Sequence, residues 1–118
     1  MNSVNLTGRL TKEAMIQKTK SGVSVCKFNI AVDRFVNNEK VANFITIQAF
    51  GNSAEYLSNY ASVGSMIEIS GELETGVYEA QNGEKRYYYQ VNAKKLRVLD
   101  KFKVNKPENE VEYDGLDF

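Results

Sequence analysis

Apolar and polar residues alternate with a period of two along most of this chain, which predicts β-strands. "SVNLTGRL" alternates and contains a glycine, as a bulged or strongly bent strand would. In "VCKFNIAVDRF", Cys26, Phe28, Ile30 and Val32 fall on one face, and Lys27, Asn29, Ala31 and Asp33 on the other. "NFITIQAFG" alternates again, and "SMIEISGEL" and "YYYQVNAKKLRVL" give two more strands. Asn82-Gly83, in the middle of "VYEAQNGEKRYYY", is a hairpin signal between strand-like flanks.

The period changes once. In "NSAEYLSNYASVG", Ala54, Leu57, Tyr60 and Ala61 recur at helical spacing. Asn52 or Ser53 is placed to cap this helix, Glu55 sits in its first turn, and Gly64 is placed to end it. The order is therefore β-β-β-α-β-β. Five strands with one short helix between the third and fourth is the order of an all-β Greek-key barrel, the OB-fold. From Lys103 onward the pattern dissolves, and Pro107 opens a segment too acidic and too poor in apolar groups to fold alone. The reading is one folded domain over residues 1–103 and a flexible acidic tail over 104–118.

Register on the third strand separates two chemistries. Ile45, Ile47 and Ala49 read as core; Phe44, Thr46, Gln48 and Phe50 share the other face. Phe35 likewise falls in the polar register of the second strand, with Lys27 and Asn29. Tyr78 stands where the fourth strand enters the hairpin, with Lys85 and Arg86 across the turn. Aromatic rings and cations interleaved on the wet side of a sheet suit single-stranded nucleic acid. The rings stack on any base, and the cations neutralise phosphates. Arg9, Lys12, Arg34, Lys40, Lys85 and Arg86 are the cations expected along that path. The competing reading is packing, because aromatics in small β proteins often fill the core or a subunit contact. Four rings on adjoining elements beside cations favour binding for the group. In Tyr87-Tyr88-Tyr89 the alternation puts Tyr88 outside and Tyr87 and Tyr89 inside.

Charge changes the picture only when the chain is divided. Residues 1–106 carry all 15 Lys and Arg and 10 acids, a net +5; residues 107–118 carry the other 5 acids and no base, a net −5. That is a basic body with an acidic tail. With one cysteine and no histidine, the chain forms no internal disulfide and no Cys/His metal cluster, and a reducing, cytoplasmic setting fits. "MNSVNLTGRL" does not read as a signal peptide, and no stretch approaches a membrane span. Enzyme readings find no histidine base and no nucleophile motif. "SGVS" and "VGSM" lack the spacing and lysine of phosphate loops, so no cofactor and no metal is expected.

The stretches "VNLTGRLTKE", "FNIAVDRF" and "FITIQAFGNSAEYLSNYASVGSMIEISGELETGVYEAQNGEKRYYYQV", with the acidic tail, resemble the bacterial and phage single-stranded DNA-binding protein family (SSB). The resemblance covers residues 1–100 and the last dozen. It implies an OB-fold, a homotetramer and DNA wrapped over its surface. It also implies that Phe35, Phe44, Phe50 and Tyr78 stand at the family's base-stacking positions, where tryptophan is common at three; here none is tryptophan. Cations frequent in the family are replaced by Ser3, Thr46 and Asn52. The near absence of a Gly/Gln/Pro-rich linker looks like a phage or mobile-element version. The family's tail ends in acids and an apolar pair that dock on replication, recombination and repair proteins. Here that tip is Asp114-Gly115-Leu116-Asp117-Phe118, with Asp117 where proline is usual. The alternatives are an OB-type replication adaptor acting mainly through proteins, which the tip disfavours, and an RNA-binding OB module.

Overall fold

The computed structural model describes residues 1–100. The expected boundary after residue 103, the acidic tail and its tip lie outside the described residues. The strands are β1 (Val4–Leu10), β2 (Met15–Lys18), β3 (Ser24–Val36), β4 (Glu39–Phe50), β5 (Met66–Glu79) and β6 (Lys85–Val98); the helix α1 (Asn52–Tyr60) lies between β4 and β5.

Five of the strands close into a barrel. The sheet runs β1-β5-β6-β4-β3, and β3 returns to β1 through Arg9↔Ala31 and Leu10↔Ile30. All these pairings are antiparallel except β4–β6, which is parallel over Ile47↔Val91 and Gln48↔Asn92. This is the OB-type barrel that the strand order predicts. Inward residues from every barrel strand meet in one core: Leu10, Cys26, Phe28, Ile30, Ile47, Ala49, Ile67, Ile69, Val91, Leu96 and Val98. Burial pushes the Cys26 thiol pKa up, which keeps it protonated and unreactive. Ala54, Tyr56 and Leu57 of α1 join that core, and Tyr56 Oη accepts a hydrogen bond from the Val98 N–H at 3.1 Å.

Four details depart from the sequence reading. A sixth strand, β2, pairs with Ser24–Lys27 of β3; all four of its residues are exposed, so no apolar alternation marked it. The β3–β4 hairpin is longer than its core pattern and turns on Asn37 (φ 52°) and Asn38 (φ 66°), a pair suited to a type I′ turn. The helix is preceded by Gly51 at its N-cap with no side-chain cap, rather than by Asn52 or Ser53. Its C-cap is Ala61, three residues before Gly64. Glu55 is held from the barrel instead, by the Ser24 hydroxyl at 2.7 Å and Lys18 at 3.8 Å.

The glycine of β1 also has a different purpose from a bulge. The β1–β5 ladder is continuous from Val4↔Gly71 to Arg9↔Met66, and the irregularity lies in the β5–β6 ladder, where adjacent Ser70 and Gly71 face Lys95 and Ala93 and leave Lys94 of β6 as the extra residue. At Gly8 a Cβ would come within 2.6 Å of the Ala31 carbonyl oxygen. The missing side chain is what lets β1 approach β3 and close the barrel. Gly8→Ala should therefore destabilise the domain by ~1–3 kcal/mol, as overpacking against backbone does. Urea unfolding midpoints measure this; an unchanged midpoint contradicts it.

Candidate nucleic-acid interface

In a barrel strand, alternate side chains leave the core for solvent. The outward set on β3 is Val25, Lys27, Asn29, Ala31, Asp33 and Phe35, and its cross-strand neighbours on β4 are Phe50, Gln48, Thr46, Phe44, Ala42 and Lys40. Phe35 is 73% exposed, Phe44 70% and Phe50 45%. Phe44 and Phe50, six residues apart on one strand, mark out a path of about 20 Å.

The face does not stop at β4. Gln48 neighbours Asn92 across the parallel junction, and the same side of β6 and β5 carries Gln90 opposite Glu74, Tyr88 opposite Gly76, and Arg86 opposite Tyr78. Tyr78 is 55% exposed. The outer surface of the β3–β4 hairpin therefore runs into that of the β5–β6 hairpin, with aromatic rings on each.

Between the rings lies a floor of linked polar side chains. The Thr46 hydroxyl donates to Asn29 Oδ1 at 2.8 Å, and Gln90 donates to the Gln48 side-chain carbonyl. Glu74 accepts from the Asn92 amide on one oxygen and from Tyr88 Oη, at 3.2 Å, on the other. These bonds, Asn92 first, together with Gln90 and the nearby Lys27 charge, hold the Glu74 carboxyl below its ordinary pKa. Hydrogen bonding to that carboxylate pushes the Tyr88 phenol pKa up.

The predicted cations divide. Lys40 stands opposite Phe35 on this face, 3.8 Å from Asp33, and Arg86 stands opposite Tyr78. Arg34 lies in the other register of β3, across from Val41, and Lys85 shares the opposite face of its ribbon with Tyr87. Arg9 is tied to the barrel's end, donating to the Gly64 carbonyl at 2.9 Å and lying 3.9 Å from Asp100. Lys12 is exposed in the β1–β2 connection. Two residues of this face are not among the contacts expected from sequence. Lys27, beside Gln48, is the cation at the centre of the face, and its odd register with Phe35 was the available signal. Met15, 70% exposed, neighbours Lys27 from β2, a strand without a pattern to find it by.

The tyrosine triplet needs a correction. Tyr88 does share the outer face with Tyr78, but Tyr87 and Tyr89 are not inside; they are 82% and 73% exposed. The barrel ends at Val91, so the inward register of the projecting ribbon has no core to enter.

Residues 1–99 match the Single-strand binding protein family. The chain belongs to this family. It is 39% identical over 104 residues to Single-stranded DNA-binding protein 1 of Streptococcus pyogenes, covering 86% of this chain and 80% of that one. Identity to Single-stranded DNA-binding protein 2 of Clostridium acetobutylicum is 37% over 112 residues, covering 92% and 84%. With Single-stranded DNA-binding protein 1 of Staphylococcus aureus it is 37% over 103 residues, covering 85% of this chain but only 66% of the relative. For this member of the single-strand binding protein family, the outer face gives a pH prediction. The Glu74 contribution to folding stability should be present above its ordinary pKa of 4.5 and be lost as pH falls through its lower folded value. Carboxyl ¹³C NMR should show Glu74 titrating low and Asn92→Ala shifting it upward; an ordinary titration in the parent chain contradicts the network.

Proposed function

We propose that the protein coats single-stranded DNA without regard to sequence. The carrying observation is that Phe35, Phe44, Phe50 and Tyr78 sit in the outward register of adjoining strands, with Lys27, Lys40 and Arg86 in the same register. Family membership and the names of the relatives support the same reading. Rings give affinity that any base satisfies, and cations give affinity that salt weakens. The polar floor offers amides and hydroxyls to the strand between stacked bases, without the rigid bidentate pairs that read sequence.

The working form in this proposal is a homotetramer acting in replication, recombination and repair in the bacterial cytoplasm. Val4–Thr7 of β1 pair with β5 on one side only, leaving a strand edge open to a second copy. The tip Asp114, Leu116, Asp117 and Phe118 recruits partner proteins, the Phe118 ring filling an apolar pocket and the acids meeting cations on its rim.

Phe44→Ala and Tyr78→Ala should each weaken binding to a dT oligomer by ~1–3 kcal/mol, about 5- to 150-fold, with the fold retained. Replacing Lys27 or Arg86 should flatten the salt dependence of log K by about 0.7 for each phosphate no longer neutralised. Folded variants that bind and respond to salt like the parent would overturn this assignment of the face. A chain lacking Phe118 should bind the oligomer normally and lose partners in pull-downs; partners retained in full would reject the docking role of the tip.

A further inference from the structure

Tyr88 is an unusual side chain for a projecting ribbon. It projects from a two-stranded hairpin with solvent on both sides, yet it is the least exposed of the three consecutive tyrosines, at 37%. The reason lies across the strand. Its cross-strand neighbour is Gly76, and a Cβ there would come within 2.5 Å of Tyr88 Cε2 and Cζ. The phenol end of the ring therefore lies directly over the glycine backbone. From that position Tyr88 Oη donates to Glu74 Oε2 at 3.2 Å, two residues along β5 on the same face. Glu74 is itself held on its other oxygen by Asn92, where β6 rejoins the barrel. On the opposite side of Gly76 stands Tyr78, whose ring centroid is 6.3 Å from that of Tyr88 at a tilt of 44°. The strip Glu74-Gly76-Tyr78 is thus spanned by one ring, anchored at its hydroxyl and in contact with a second ring at its side.

We infer that Tyr88, held down by Gly76 and Glu74, is a positioning residue that sets the Tyr78 ring for stacking on an unpaired nucleobase. This rests on the reading of Tyr78 as a stacking ring. A lone exposed tyrosine on a projecting hairpin samples its rotamers freely and loses that freedom when a base lands on it. A neighbouring ring that is itself fixed removes part of the cost beforehand, because tilted aromatic pairs have a preferred geometry. The device also accounts for an acid on a face that meets phosphates. Glu74 engages both oxygens with donors within the sheet, with Lys27 nearby, so its charge is committed before the strand arrives. Gly76 is required for clearance at this point: an added methyl meets the movable end of a tyrosine ring, so alanine there displaces Tyr88 rather than breaking the ladder.

The test is a double-mutant cycle on the full chain, read by polarisation of a labelled dT oligomer, with thermal melts of every variant. Tyr88→Ala should weaken binding by about 2- to 12-fold, the cost of ordering one side chain, without lowering the melting temperature of the barrel. In a Tyr78→Ala background the same substitution should change nothing, since a residue acting through Tyr78 has no effect once that ring is gone. Gly76→Ala, which keeps every side chain of the strip, should reproduce the Tyr88→Ala loss with the melt unchanged or raised. Tyr88→Phe, which keeps the ring over Gly76 and loses only the hydroxyl, should retain part of the affinity. Losses from Tyr88→Ala and Tyr78→Ala that add in full would overturn the inference while leaving the stacking role of Tyr78 intact. An unchanged affinity in Gly76→Ala and Tyr88→Ala would overturn it too. If Tyr78→Ala alone binds like the parent, the stacking reading itself fails and takes this one with it.

Discussion

A barrel closed from five strands has a single inside, and period-two alternation commits every second side chain of each strand to leave it. The reading of the outer face as a nucleic-acid interface depends on that constraint. The core is filled by aliphatic residues, Phe28 and part of one helix, so a ring in the other register has only the outer surface to occupy. Phe44 and Phe50 flank inward-pointing Ile45, Ile47 and Ala49 on one strand. Moving either ring inward would slip the register of β4 by one residue and turn three core residues to water. The exposure of these aromatics is therefore fixed by the burial of their neighbours.

The two long hairpins give that outer face its reach. β3–β4 and β5–β6 both continue beyond the core, and the parallel junction at Ile47↔Val91 and Gln48↔Asn92 joins them at the base. On the outer side of the junction the Gln90 amide donates to Gln48, and Asn92 continues the chain to Glu74, while Ile47 and Val91 pack beneath in the core. This suits a surface that must stay wet. It also explains why few cations are needed in the middle of the face: Lys27 stands beside a carboxylate that is already occupied, and the remaining cations lie towards the ends, at Lys40 and Arg86.

Much of this was legible in the chain because alternation is a direct record of register. The faces of β3 and β4, the helix between β4 and β5, and the hairpin at Asn82-Gly83 follow from spacing alone. What was not legible followed from facts that spacing does not hold. β2 has no buried residue, so Met15 left no trace. Alternation assigns Tyr87 and Tyr89 to the register of Val91, but where the barrel stops is set by the other strands, and both rings are exposed. Register likewise separates Arg34 from Phe35 and Lys85 from Arg86, although each pair is adjacent in sequence. Arg9 carries the right charge and is engaged by Asp100 and the Gly64 carbonyl, a contact across more than fifty residues of chain.

The central claim is that one outer face, continuous from Phe35 to Tyr78, receives unpaired bases. Photocross-linking with an iodouracil-substituted dT oligomer, followed by mass spectrometric mapping, tests it most directly. The account predicts adducts at Phe35, Phe44, Phe50 and Tyr78. Adducts confined to Tyr87 and Tyr89, which are as exposed but belong to the opposite face of the ribbon, would contradict it.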